Sequence, residues 1–558
     1  MTCEEQIYSN DYYDFIIRTT DPRIVIPEDV CRQPIDQSIA NLYIKREGMP
    51  ELNAVDYDYN TIPKCFALLD QNALEVSGIS RVLNQPTLSL SGQGVLVGFI
   101  DTGIAYENAM FRNSDGSSRI VGIWDQSIPG APPEGFLYGT GYTSEQLNAA
   151  LLSPAPQELV PTTDTEGHGT FLAGIAAGSP DLAKDFTGAA PRADIAMVKL
   201  KTAKQYLKDY FFVSDQIDVY EETDIAAGVH YLQRLAEVRG EPLVICLALG
   251  TNMGSHKGNS ALGSYLDDLG IRAGYVVVLA AGNEANARHH YKGFMTEEQP
   301  FDMAQINVGE NVDGLIAEVW IEAPELATVT VTSPTGEQTP MMSPRHSESL
   351  TYRFIFEQTV VQIYFRISDP ISGDQMILIR MIKPTRGLWS IETYPVNLFT
   401  GEYHIWLPLK EMVEGEVFFV RSDPDNTITI PGNTSIPITV GAYNDSTGSL
   451  YLDSGRGFSL NGTVKPDFCA PGVNLTGINV KGNEEEATGT SIAAAITAGA
   501  SALFMEWAAV KYGNPGVNSI EVKNFLIRGA RRDVGRDYPN QEWGYGKLDL
   551  YQSFDVLR

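Results

Sequence analysis

From Gly94 onward, short apolar runs alternate with longer amphipathic stretches, a pattern that predicts an α/β fold. Val95-Leu96-Val97-Gly98-Phe99-Ile100 reads as a buried strand ending at Asp101, and residues 195–200, 243–249 and 275–280 repeat the apolar pattern. Helical stretches over 221–238 and 260–271 lie between and after them, so a mainly parallel sheet covered on both faces is expected. Between about 297 and 436 the pattern changes to short β-rich runs separated by turn residues, at 315–321, 327–331, 360–365, 375–380, 387–391 and 402–407. That stretch predicts an inserted β-sandwich of jelly-roll type, after which the α/β pattern resumes at Ile436. Ahead of both lies a small α+β unit. Residues 13–18 read as a strand, and Ile35, Ile39, Leu42 and Ile44 recur at roughly helical spacing across 35–46.

At 558 residues the chain is too long for one core. The patterns divide it into 1–72, 73–296, an insertion at 297–436, and 437–558. A formal net charge of −30 argues against nucleic acid or an anionic membrane as partner. No apolar run reaches the ~18 residues of a membrane span. The N-terminus has neither a basic nor an apolar leader region, which predicts a cytoplasmic product reaching other places only by release, lysis or packaging. The five cysteines are scattered without metal-ligand spacing, so no disulfide framework is expected and Cys246 and Cys469 read as packing residues.

Three short segments change the picture. Phe99-Ile100-Asp101-Thr102-Gly103, Gly167-His168-Gly169-Thr170 and Gly489-Thr490-Ser491 offer a carboxylate, an imidazole and a hydroxyl, each framed by glycine and threonine. A serine nucleophile needs those three groups: a base to take its proton and an acid to orient the base. Alone, Asp101 could be a turn residue, His168 a structural histidine and Ser491 a helix cap. Asn283, in Ala280-Ala281-Gly282-Asn283-Glu284, follows a predicted strand and could give its amide to an oxyanion, or simply make an Asx-turn. Together the four segments make a complete acyl-transfer set.

On these segments the chain resembles the subtilases, the subtilisin-like serine endopeptidases, across most of 73–296 and 437–558. The resemblance implies Asp101 as orienting acid, His168 as general base, Ser491 as nucleophile and Asn283 as oxyanion donor. It makes Ala248, Leu249 and Gly250 the strand that would pair with an extended peptide or protein substrate. Phe171-Leu172 after the histidine motif and Ile492-Ala493-Ala494-Ala495 after Ser491 depart from the common family pattern. With Gly122-Ile123-Trp124-Asp125-Gln126 and the Leu249–His256 segment, they are similar to the clostridial Csp-type subtilases, which include germination proteases of spores. That narrower likeness implies a propeptide cut near Leu69-Asp70-Gln71-Asn72 and retained, a mature domain starting around Val76, and packaging into a spore. No cofactor is needed for such chemistry, and although the family often holds structural calcium, no ligand set for it can be assigned. A second reading is a catalytically silent scaffold or germinant-signalling pseudoprotease. A third is a carbohydrate-binding insertion using Trp389 and Trp406.

Overall fold

The strand Leu96–Asp101 sits in the middle of an eight-stranded sheet and is buried along its whole length. Leu96 and Ile100 point to one face, Val97 and Phe99 to the other, and each such buried side chain contributes about 1.5–3 kcal/mol. Because both faces are covered, the run is apolar without alternation. In spatial order the sheet runs Phe468–Pro471, Ile438–Tyr443, Tyr275–Ala280, Leu243–Leu247, Leu96–Asp101, Asp194–Lys199, Ile120–Asp125 and Thr140–Thr143. Neighbours are parallel except the last pair, which is antiparallel. Helices His168–Ala177 and Thr490–Met505 cover one face, and Glu222–Arg239 with Ala261–Ile271 cover the other. This computed structural model describes residues 2–18, 30–36, 38–68, 76–181, 183–184 and 186–557.

Strands between His290 and Phe419 build two antiparallel sheets, of six and four strands, around a core that includes Trp389, Val319 and Ile363. The first of these strands begins at His290, earlier than the expected 297, because His290–Phe294 pairs with Glu402–Trp406 at the sheet edge. Trp389 and Trp406 are fully buried, which leaves neither indole a face for a sugar. Among the described residues one helical stretch, Thr490–Lys511, is long and apolar enough to cross a membrane, but 89% of its apolar window is buried in the core.

The N-terminal unit corrects two expectations. Residues 39–45 form a strand, not part of a helix, in an antiparallel sheet ordered Tyr12–Arg18, Ile39–Lys45, Cys31–Pro34. One face of this sheet packs Ile16, Ile39 and Tyr43 with the helices on the second face of the large sheet, while Tyr13, Phe15, Ala40 and Leu42 join a separate cluster in which the Tyr13 ring lies 5.0 Å from that of Tyr206. Burial on both faces erased the alternation that marks a half-buried strand. Cys3 and Cys31, separated by 28 positions, are joined in a disulfide, whereas Cys65, Cys246 and Cys469 are free and buried. Spacing gave no sign of that pairing, because a helix and a strand bring the two cysteines together.

Candidate active site

Asp101 ends the central strand, and its Oδ1 accepts N–H from Thr102 at 2.8 Å and the Thr102 hydroxyl at 3.2 Å. His168 is the first residue of helix His168–Ala177, entered through Gly167 with φ +88°. Its Nδ1 lies 2.8 Å and 3.0 Å from the two Asp101 oxygens, and both side chains are almost closed to solvent. The glycine next to the histidine has a steric reason. A Cβ on Gly169 would fall 2.3 Å from the Gly103 carbonyl oxygen and 3.1 Å from Asp101 Cβ. Gly169 N–H donates to Thr102 Oγ1 at 3.0 Å, tying helix to strand end.

Asp164, outside the motif segments, secures the start of this helix. Its Oδ1 accepts from Gly167 N at 2.8 Å, and its Oδ2 from Thr170 N at 2.9 Å and Thr170 Oγ1 at 2.6 Å. Gly167 occupies the N-cap itself, so Asp164 reaches these groups from the preceding loop, and the sequence carried no cap signal for it.

Ser491 is the second residue of helix Thr490–Met505 and is fully buried. The residue in the N-cap position is Gly489, so Ser491 is not the helix cap that a lone serine there would imply. The helix packs against His168–Ala177, which brings the two motif-bearing helix starts to one end of the sheet. Asn283 is held against the same turn. Its Oδ1 accepts from Thr490 N and from Thr490 Oγ1, both at 3.1 Å, which orients the amide so that Nδ2 is the end turned away from Thr490. Gly282 N–H donates back to Thr490 Oγ1 at 3.1 Å, and the φ of +93° at Gly282 explains the glycine.

His168 and Asn283 line one cleft of about 640 Å³, with Glu166, Glu411, Glu485 and Glu486 giving it a negative wall. Phe171 packs beside it. A Cβ on Gly477, in the hairpin that carries Glu485, would lie 2.2 Å from the Phe171 ring. Among the described residues no group of three or more His, Cys, Asp or Glu side chains is arranged to hold a metal.

Leu249–Gly250 forms an edge strand whose partner comes from the N-terminal unit. Cys65–Leu68 runs antiparallel to it, Leu68 opposite Leu249 and Ala67 opposite Gly250. The other edge of Cys65–Leu68 pairs with Tyr220–Glu221, so the segment is the middle strand of three. The expected cut at 69–72 lies outside the described residues. Just upstream, the Tyr59 hydroxyl donates to Glu318 of the insertion, whose other oxygen accepts from Gly254 N at 2.9 Å and Trp320 Nε1 at 3.0 Å. One buried carboxyl thus joins all three parts of the chain.

The Subtilase family profile matches residues 92–335 and 408–546, more than half of the chain. The structure of the Clostridium perfringens CspB protease is similar with a TM-score of 0.77 and 31% identity, over 86% of this chain and 98% of that one. The mouse membrane-bound transcription factor site-1 protease is 38% identical over 96 residues, 17% of this chain and only 9% of that protein. Serine protease AprX of Bacillus subtilis is 31% identical over 154 residues, 24% of this chain and 33% of its own length. Sheet order, motif-bearing turns and these matches agree: the chain belongs to the Subtilase family of serine endopeptidases.

Proposed function

We propose that this subtilase cuts its own N-terminal unit, residues 1–72, keeps it bound, and then cleaves a protein substrate through an acyl-enzyme. The observation that carries the reading is the antiparallel seat of Cys65–Leu68 on Leu249–Gly250. An extended segment pairing with an edge strand is how a protease holds a peptide for attack, and this one leads straight toward residues 69–72.

In the proposed chemistry His168 Nε2 takes the proton of Ser491 Oγ as it attacks the scissile carbonyl. Asp101, facing Nδ1, fixes the tautomer and stabilises the imidazolium that forms. The Asn283 amide and the Ser491 backbone N–H receive the oxyanion, the latter aided by the positive end of its helix. His168 then returns the proton to the leaving amine, and water repeats the cycle to release the acyl group. The likeness to Csp-type proteases makes a zymogen made inside the cell and acting in spore germination the setting we favour.

Wild type and Ser491→Ala, compared by N-terminal sequencing and by reaction with a fluorophosphonate probe, test this. Wild type should be cut near residue 71 and labelled, and the variant neither. Cleavage in both would sink autoprocessing, and a wild type that stays uncut and unlabelled would favour the silent scaffold.

A further inference from the structure

Directly after Asn283 the chain buries a carboxyl. Glu284 is 2% exposed, and its Oε2 accepts an N–H from Asn252 Nδ2 at 2.8 Å. Its Oε1 accepts the Lys410 backbone N–H at a long 3.5 Å. Asn252 is also 2% exposed, and its Oδ1 has no hydrogen-bond partner among the described residues. Asn252 stands two positions beyond Gly250, at the end of the strand that pairs with Ala67, and its carbonyl accepts from His256 Nε2 at 3.0 Å. The side chain contact therefore bridges the loop of Asn283 and the turn that ends the peptide-pairing strand.

An ionised carboxylate is a poor occupant of this place. Lys410, on the one-turn helix Lys410–Met412, favours its charge, but Glu411 on the same turn opposes it and burial opposes it more. Asp453 lies on the loop whose carbonyl takes the Ala285 N–H at 3.1 Å, and it adds another negative group to the cleft. His256 supplies no counter-charge, since burial pushes its pKa down to about 4. A neutral carboxyl, by contrast, has one O–H to give and one oxygen to receive, which complements an amide with a bound N–H and an orphaned oxygen. Leaving such an oxygen unpaired costs about 1–3 kcal/mol.

We propose that Glu284 is a positioning residue that works as a neutral acid: paired with the Asn252 amide, it clamps the oxyanion loop to the peptide-binding strand, and losing its proton sets the alkaline limit of activity. This rests on Asn283 acting as oxyanion donor. Burial and Glu411 together push the Glu284 pKa up to about 8, which places the limit in a measurable range. Above it, the Asn252 oxygen loses its donor, and a negative charge appears one residue from the amide that must receive an anion. That charge opposes a species present only beyond the ground state, so kcat should fall more than KM rises.

Fluorophosphonate labelling of Ser491, followed between about pH 7 and 10, tests the consequence, because the phosphonyl oxygen needs the oxyanion donors. The wild-type rate should fall up to ~tenfold per pH unit above the transition, and Glu284→Gln should lack that limb whatever its absolute rate. The same limb in Glu284→Gln, or a flat wild-type profile, overturns the proposal. Difference infrared spectroscopy reads the proton without activity. A protonated-carboxyl C=O band should be present in wild type at neutral pH, vanish as the pH rises through the transition, and be missing from Glu284→Gln. Its absence from neutral wild type also overturns the proposal. Asn283→Ala separates the two readings: unchanged labelling in that variant sinks the oxyanion donor, while the infrared titration judges Glu284 independently.

Discussion

The Lys204 ammonium is paired with the Asp14 carboxylate across an interface where neither side chain reaches solvent. Asp14 belongs to the N-terminal unit; Lys204 stands beside Lys201, Glu221 and Asp224 of the catalytic region. The Asp14 N–H also donates to the Tyr206 hydroxyl at 2.8 Å, and Asn41 Nδ2 donates to the Thr223 carbonyl at 2.9 Å. Removing one partner of such a pair costs more than removing both, because it leaves a buried charge uncompensated. Asp14→Ala should lower stability by about 3–5 kcal/mol, and Asp14→Leu with Lys204→Met by less. Urea midpoints of the full chain decide it, and a double variant weaker than the single contradicts the ordering.

Asp101→Asn should slow acylation of Ser491 by roughly 10⁴-fold while leaving the fold intact. An amide at this position can offer N–H to His168 Nδ1, which stabilises the tautomer whose Nε2 already carries a proton. Fluorophosphonate labelling rates measure the loss. A fall of less than about tenfold would show that Asp101 does not orient the base.

Thr429 fills the space between the strand Leu249–Gly250 and the loop that carries Gly282 and Asn283. A Cβ on Gly250 would meet its Oγ1 at 2.4 Å and its Cβ at 2.8 Å, and a Cβ on Gly282 would meet its Cγ2 at 2.4 Å. Gly250→Ala should therefore cost about 1–3 kcal/mol by overpacking and slow labelling. Adding Thr429→Gly should recover most of the labelling rate. A double variant as slow as Gly250→Ala alone would show that the collision is not with Thr429.

Acid should loosen the junction between insertion and catalytic region. His256 stacks on Trp406 at 3.9 Å and 6°, and His290 and His404 stack on the same indole, with His290 Nε2 2.9 Å from His404 Nδ1. Burial lowers the His256 pKa from 6.5 to about 4 and lowers that of His290 well below its usual value. The unfolded chain then binds more protons than the folded one, so stability is complete above pH 6.5 and lost as pH falls toward 4. The His256 share is ~3 kcal/mol. His256→Phe, which keeps an aromatic ring in the stack, should flatten part of the fall of melting temperature with pH; an unchanged slope would rule His256 out.

The central strand was legible in sequence because both its faces are buried and the run needs no alternation. The motif glycines were legible for a related reason: the Gly169 contact with the Gly103 carbonyl is tertiary, yet it writes itself locally as a residue that tolerates no side chain. Residues 39–45 carry no alternating strand pattern because Ile39 to Tyr43 are buried on both faces of their sheet. Cys3 with Cys31, Tyr59 with Glu318, and Glu284 with Asn252 left no local mark, since each pair meets only when separate elements dock.

The strand Cys65–Leu68 sits near the front of the chain and its edge partner Leu249–Gly250 before the middle, while Ser491 comes close to the end. At ribosomal speed, on the order of tens of seconds separate the emergence of the first from that of the last. Cys65–Leu68 and the strand it pairs with are both outside the ribosome before Ser491 has been translated. Under the proposed function, the order of translation matters: the Ser491 hydroxyl is made after both Cys65–Leu68 and the strand it pairs with.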